Sequence, residues 1–366
     1  MTGIGKNEIT TIQYVLLIHG TQVGIGVLTM PRELASIAGT DGWMSIVLGW
    51  GIAVVASLLL LNAMKHYPDK TIVEILPLLL GKWLGNTAAV LIVLYCLFGA
   101  ITVFAYSVSL INIWLLTQTP GYIIVILFII PLYQVMKGGV RVLGRYSELI
   151  FYLTLWMFPV LFFTWPKLNG IHLLPLFKEG WKPILQASQS TILSFLGFEL
   201  AFFWYPFLQR KQYAVAGMLV ANTLSMLVFL TVTILCYSLF SPDEITQFTW
   251  PTLGLCKVIE FRFLERFDIV FLAFYLFVLS TTGIPYMYLT VFSTSRLLGS
   301  KNHLGYLKLI LLLITVAAVM YTPSFSDLKK MVDYWGRTGM VIGYAIPCLL
   351  AGLLMFMGKK AGERSG

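Results

Sequence analysis

A single carboxylate lies inside a long apolar segment of this sequence. Glu199 stands in the run STILSFLGFELAFFWYPFL, shortly after Gly197 and before Pro206. An ionisable group inside a span-length segment is costly and marks a functional site by default. It could accept hydrogen bonds from an opened helix, hold a ligand amine or take up a proton; a purely structural cap of a helix break is the alternative. We expect it to be hydrogen-bonded or protonated, because no Lys or Arg inside another apolar run is an obvious partner.

A second unusual run, GTQVGIGVLTMP at residues 20–31, lies in the middle of the first apolar segment. It combines glycines with hydrogen-bonding side chains: Gly20, Thr21, Gln22, Gly24 and Gly26. Each glycine inside a helix costs about 1 kcal/mol relative to alanine. A glycine-based packing face of GxxxG type is one explanation. Because both runs interrupt a span at mid-length, we favour two unwound segments that expose helix ends to a zwitterion or an ion.

Composition defines the class of protein that must position these residues. Of the 366 residues, 58% are hydrophobic and 11% are charged, and the mean hydropathy is +0.84. A chain of this composition is typical of a polytopic membrane protein within a lipid bilayer. The net charge of +9 comes from short basic clusters between apolar runs, as a membrane-surface bias would place them, so we do not expect a nucleic-acid partner.

Apolar runs of about 20 residues predict ten transmembrane helices in an all-α integral membrane protein. The predicted spans are residues 10–37, 43–64, 84–116, 121–136, 146–164, 186–208, 214–240, 267–297, 304–321 and 338–357. Ten crossings put both termini on one side. Fifteen of the 25 basic residues then fall on the side of the termini, which the positive-inside rule makes cytoplasmic.

The ten predicted spans divide into two groups of five with matching features. In each group the first span is interrupted and the third is long. This pattern indicates a five-plus-five inverted repeat in one transmembrane domain, residues 1–366. The first repeat would cover about residues 8–164 and the second about 185–357.

Further candidate ligand residues lie on the long third and eighth spans. Thr281 and Thr282 fall midway along the eighth span, where they could bind a ligand or cation or merely bridge helices. The aromatic residues Tyr95, Phe98 and Tyr275 could line a pocket or pack between spans. Spacing of the four cysteines and four histidines gives no metal or cofactor motif, and no nucleotide loop or nucleophile elbow is present, so we do not expect an enzyme.

Two long stretches carry a family resemblance. EITTIQYVLLIHGTQVGIGVLTMPRELASIAGTDGWMSIVLGW and NGIHLLPLFKEGWKPILQASQSTILSFLGFELAFFWYPFL resemble the signatures of the spore germination permease family, the B subunits of nutrient germinant receptors in endospore formers. The resemblance implies a branch of the amino acid, polyamine and organocation superfamily with the LeuT-type fold. It places the pocket on Thr21, Gln22, Gly24, Ile25, Gly26, Gly197, Phe198 and Glu199.

The same resemblance implies a location and partners. Family members are expected in the spore inner membrane, assembled with an A subunit and a lipoprotein C subunit. They are thought to bind small nutrients, commonly amino acids, and to signal germination.

Three functions are compatible with these residues. The leading interpretation is a germinant-sensing subunit that binds a nutrient between the two breaks. The second is a secondary transporter of amino acids or amines, coupled to protons through Glu199 or to sodium through Thr281 and Thr282. The third is a ligand-blind channel or scaffold subunit.

Overall fold

Helices make up nearly the whole of the described chain. The computed structural model describes residues 7–178, 180–262, 264–300 and 303–363. Its α-helices are α1 Thr11–Gln22, α2 Gly26–Ala38, α3 Met44–Lys65, α4 Ile72–Leu80, α5 Lys82–Trp114, α6 Gly121–Met136, α7 Gly139–Thr154, α8 Met157–Val160, α9 Trp181–Ser194, α10 Ala201–Trp204, α11 Ala214–Leu239, α12 Pro242–Ile245, α13 Pro251–Lys257, α14 Phe267–Leu297, α15 His303–Met320, α16 Phe325–Met340 and α17 Ile346–Glu363.

Short segments of tighter or wider helix extend several of these elements. Five 3-10 segments directly continue or precede helices, at Gly39–Asp41, Leu161–Lys167, Phe198–Leu200, Tyr205–Phe207 and Lys211–Tyr213. A π-helical turn, Val341–Ala345, joins α16 to α17. A further 3-10 turn, Gly170–Leu173, lies in the connection before α9.

Two of the predicted spans are broken, as the sequence indicates. The pair α1 and α2 bends by 51° over the break at residues 23–25, and the α9–α10 region bends by 41° at residues 195–197. With each bent pair taken as one span, the described residues contain up to nine helices long and apolar enough to cross a membrane. The predicted fourth span is the shorter apolar helix α6, Gly121–Met136, so the count of ten stays a prediction.

The largest differences from the expected boundaries are at the starts of the last and fifth spans. The last span does not begin at residue 338, because the helix already begins at Phe325. Ser324 and Asp327 form a capping box there. The charged residues of the first turns lower the mean hydropathy of this half of the helix, so an apolar run does not mark it. The fifth apolar helix likewise begins at Gly139, seven residues before the expected position of 146.

The segment between the second and third spans also contains a helix that we had not expected. Helix α4 starts at a capping box between Thr71 and Glu74 and packs along α5. Glu74 pairs with Arg296 at the end of α14, with 3.3 Å between Oε1 and Nη1. This ion pair fastens α4 to the end of the eighth span.

Polar contacts hold the connecting segments together at each end of the bundle. At one end, Ile9 and Phe207 share a backbone hydrogen bond of 2.9 Å, and Lys211 pairs with Asp69 at 2.8 Å. At the other end, the Phe177 N–H donates to Asp41 Oδ1 at 3.0 Å. These pairs join segments that the sequence predicts to lie on the same side of the bilayer.

Candidate ligand site at the two helix breaks

The first break is stabilised by side chains from α14. The Thr282 hydroxyl donates to the Gly20 carbonyl at 3.1 Å. The Thr281 hydroxyl lies 3.1 Å from the same oxygen and 2.7 Å from the Val278 carbonyl of its own helix, and its single proton serves one or the other. The Tyr275 hydroxyl donates to the Gly24 carbonyl at 2.6 Å. Carbonyls at a helix end lack partners within the helix, and here the eighth span supplies them. A Cβ at Gly24 would lie 2.7 Å from Thr282 Oγ1, so this close contact requires glycine.

The second break touches the first through a glycine. Gly197 has φ +126°, a conformation that other residues rarely adopt. A Cβ built on it would lie 3.0 Å from the backbone nitrogen of Gln22 and 3.0 Å from the carbonyl carbon of Thr21. The second break therefore packs backbone against backbone on the last turn of α1, directly before the first break.

Glu199 is held by three hydrogen bonds at the second break. Its Oε2 accepts the Gly197 N–H at 2.6 Å, and its Oε1 accepts the hydroxyls of Tyr95, at 2.9 Å, and Tyr286. The carboxylate is 1% exposed, and the described residues place no basic side chain in an ion pair with it. It thus caps the opened backbone and ties it to α5 and α14.

Trp335 packs against the two phenols that bind Glu199. The rings of Tyr95 and Tyr286 meet edge to face at 5.8 Å, and Trp335 of α16 lies 5.1 Å from the Tyr286 ring. A Cβ at Gly99 would lie 2.4 Å from Trp335 Nε1. Gly99 therefore gives the indole room to approach α5. The tenth span thus contributes the third ring of this aromatic cluster.

Gln22 connects the two breaks through its side-chain amide. Its Nε2 donates to the Phe195 carbonyl at 2.9 Å and to Asn222 Oδ1 at 2.7 Å, while its Oε1 accepts the Ser225 hydroxyl at 2.7 Å. Asn222 Nδ2 donates in turn to Ser57 Oγ at 3.0 Å. One buried side chain therefore links broken span one, broken span two and α11.

A cavity of about 260 Å³ lies beside the first break, between α1, α7, α11 and α14. Of the predicted site residues, Tyr275 and Thr281 line it, together with His19 and Gly20 of α1. Glu199 and Gly197 lie outside it. Small-ligand pockets begin at about 300 Å³, so this cavity is near the lower limit for a ligand.

The remaining predicted residues have packing roles in the described arrangement. The Thr21 hydroxyl donates back to the Leu17 carbonyl of its own helix at 2.6 Å, and Ile25 is buried just before α2. Gly26 lies against Ser194 of the other broken span. Phe198 packs edge to face on Tyr344 at 5.2 Å. Phe98 is half-buried on α5, away from the hydrogen bonds of either break.

Sequence reasoning missed the partners that complete both breaks. Tyr286 was not singled out, although it follows Thr281 and Thr282 closely on the same helix. Asn222 and Ser225 lie three residues apart in the otherwise apolar α11, a spacing that places both on one helical face. That spacing was a usable signal for a buried polar network.

The two breaks pack against α5, α11, α14 and α16. This arrangement defines the class of this protein as a helical membrane protein of the LeuT type. The crystal structure of MhsT in complex with L-phenylalanine is similar over 95% of this chain and 89% of that chain, with a TM-score of 0.60 and 12% sequence identity. The likeness confirms the predicted LeuT-type fold, and the two broken spans agree with it.

The family follows from the sequence comparisons. The family model described as Spore germination protein matches residues 8–327, and the chain belongs to that family. Spore germination protein YndE of Bacillus subtilis is 27% identical over 98% of this chain and 99% of its own length. Spore germination protein GerQB of Bacillus cereus is 24% identical over 92% and 93%. The resemblance inferred from the two sequence stretches is thereby confirmed.

Proposed function

We propose that this protein is the nutrient-sensing B subunit of a spore germinant receptor and binds a small nutrient at the two helix breaks. The contact between the breaks carries the proposal. Gly197 lies against the Thr21–Gln22 backbone, and Gln22 donates to the Phe195 carbonyl. A ligand bound between the breaks would part this contact and touch both broken spans at once, so it can favour one relative position of the spans over another. Only such a difference in affinity can shift a conformational equilibrium.

An amino acid is the nutrient class that best matches these helix ends. A helix carries partial negative charge at its C-terminus and partial positive charge at its N-terminus. The ammonium group would meet the carbonyls that end α1 and the carboxylate of Glu199. The carboxylate would meet the N–H groups that begin α2 at Gly26. The L-phenylalanine named in the MhsT structure supports this class of ligand.

Signalling requires partners and a membrane. We propose assembly with the A and C subunits of a germinant receptor in the spore inner membrane, with both termini cytoplasmic. The family membership and the long apolar helices support this arrangement.

Ligand-induced thermal stabilisation of the purified protein tests the proposal directly. A ligand that binds only the folded state stabilises it as its concentration passes the dissociation constant, by about 2.7 kcal/mol at a hundredfold excess. We expect one nutrient class in a panel of amino acids, sugars and purines to raise the melting temperature. The Glu199→Gln variant should lose this response.

A matched control separates the site from general effects of charge removal. Glu148 is a half-buried carboxylate of α7 that accepts a hydrogen bond from Gln13. Glu148→Gln should keep the stabilisation. Equal responses in both variants, or no response to any nutrient by the protein assembled with its partners, would contradict the proposed site.

A secondary transporter is the second candidate, and one observation favours it. Two hydroxyls, of Thr281 and Thr282, converge on the Gly20 carbonyl at the break, an arrangement of oxygen atoms that a small cation could use. Uptake of radiolabelled nutrient into proteoliposomes, driven by a sodium or proton gradient and lost in Thr282→Val, would establish transport. Binding without gradient-driven uptake would leave sensing as the function.

A further inference from the structure

The cavity beside the first break opens toward the outside of the helix bundle. Leu155, the residue directly after α7, and Leu227 of α11 line it and are 51% and 46% exposed. An apolar surface of this kind, on helices of span length, faces lipid. The described lining residues include no Lys, Arg, Asp or Glu. The cavity is therefore suited to an uncharged molecule that enters from the bilayer.

Hydrogen-bond polarity determines which atom His19 offers to this cavity. His19 Nδ1 lies 2.9 Å from Ser225 Oγ. Both Gln22 N–H groups point at acceptors, so Gln22 Oε1 faces Ser225 Oγ at 2.7 Å, a contact that is favourable when Ser225 donates its single proton there. With the Ser225 proton used in this way, His19 Nδ1 carries the imidazole proton and donates it to Ser225 Oγ, and Nε2 is left as an acceptor.

Ser147 offers the complementary group. It lies on α7, lines the same cavity and is 3% exposed. Its Oγ has no hydrogen-bond partner among the described residues. A buried hydroxyl without a partner loses about 1–3 kcal/mol of solvation that a ligand could restore.

We propose that this cavity, bounded by His19, Ser147, Tyr275 and Leu227, is a second binding site for a small uncharged aliphatic molecule with one hydroxyl group. The ligand hydroxyl donates to His19 Nε2 and accepts from Ser147 Oγ, while the aliphatic body packs against Phe151, Leu224 and Val228. A zwitterion or a protonated amine lacks a counter-ion there and is excluded. The site adjoins the proposed nutrient site at the first break, because Gly20 and Thr281 line the cavity, but Gly197 and Glu199 of the second break do not line it.

Competition for a photoreactive ligand tests the site in the full-length protein in lipid nanodiscs. The probe is an aliphatic alcohol that bears a diazirine, and mass spectrometry locates the labelled peptides. We expect labels on α1, α7 and α11. Cyclohexanol should compete at about fivefold to tenfold lower membrane concentration than methylcyclohexane, which has a similar size but no hydroxyl. Cyclohexylamine, charged at neutral pH, should not compete.

Three variants test the hydrogen bonds of Ser147 and His19 and the volume of the cavity. Ser147→Ala and His19→Asn should each reduce the cyclohexanol preference about twofold to threefold; the asparagine keeps a donor near Ser225 but lacks an atom at Nε2. Val228→Trp should fill the cavity and abolish labelling. Ser293→Ala is the matched control, because Ser293 Oγ is also buried without a partner but does not line the cavity.

Loss of the ligand preference can be told apart from unfolding of the protein and from labelling at another cavity. Ser147→Ala removes only an unpaired hydroxyl and should fold normally, so loss of the preference there cannot be attributed to unfolding. Equal competition by cyclohexanol and methylcyclohexane would overturn the proposal. Labelling concentrated instead in the second cavity, of about 290 Å³ between α5, α6, α15 and α16, would overturn it as well.

Discussion

At the residue scale, Glu199 illustrates how a buried carboxylate can serve the backbone around it. Burying a charge without partners costs far more than an ordinary hydrogen bond returns. Here one oxygen accepts the Gly197 N–H and the other accepts two phenols. The carboxylate therefore replaces the partners that the interrupted helix has lost, and a nutrient ammonium group would have to compete with those phenols.

The Glu199→Gln variant should lower the stability of the protein as well as its nutrient response. The amide oxygen can still accept from Tyr286 and Tyr95, but the amide NH₂ then faces the Gly197 N–H, and two donors oppose each other. A buried donor without an acceptor costs about 1–3 kcal/mol. Thermal unfolding in detergent, compared with Glu148→Gln, measures the effect. An unchanged melting temperature would show that the Gly197 contact does not support the break.

The two phenols should act redundantly. Tyr95 and Tyr286 donate to the same oxygen of Glu199, so each single change to Phe leaves that oxygen with one donor. We expect small losses from the single variants and a larger loss from the double variant than their sum. Coupling of about 0.5–3 kcal/mol is typical for residues in one network. Additive losses in a double-mutant cycle would argue against a shared acceptor.

At the element scale, the breaks depend on glycine in a way that substitution can measure. Gly197→Ala combines a left-handed φ with a Cβ placed 3.0 Å from Gln22 N, and strained backbone of this kind costs about 1–3 kcal/mol. Gly51→Ala is the control, because Gly51 lies in α3 with nothing within 4 Å of a new Cβ. We expect thermal unfolding to show a large loss for Gly197→Ala and little change for Gly51→Ala. Equal effects would contradict both the strained φ of Gly197 and its close contact with α1.

Much of the element layout was predictable from the sequence, and the reasons are physical. Span-length apolar runs and interior glycines identify the broken helices, because both features are local in the chain. The Gln22 contacts with Asn222 and Ser225 depend on how distant spans pack, and periodicity does not report that packing. The same holds for Tyr286, whose partner Glu199 lies 87 residues away. The cavity was unpredictable for the same reason, since four helices form it.

At the scale of the whole molecule, the number of membrane crossings decides where every connecting segment lies. Helix α6, Gly121–Met136, has 16 residues and is about 24 Å long at 1.5 Å per residue. The hydrocarbon core is about 30 Å thick. The helix can still cross if the bilayer thins or its flanking residues reach the interface, and its apolar composition favours crossing over an interfacial position.

Cysteine labelling of intact cells tests that crossing. In a Cys348→Ser background, which removes the one exposed cysteine among the described residues, single cysteines replace the exposed Gln118 and Lys137 at the two ends of α6. If α6 crosses, a membrane-impermeant maleimide should label position 118 from outside and position 137 only after permeabilisation. Lys82→Cys, which precedes α6 in the chain, marks the inner side. Equal access at both positions would mean that α6 is re-entrant and that the chain crosses the membrane nine times. The two termini would then lie on opposite sides, and they could not both be cytoplasmic.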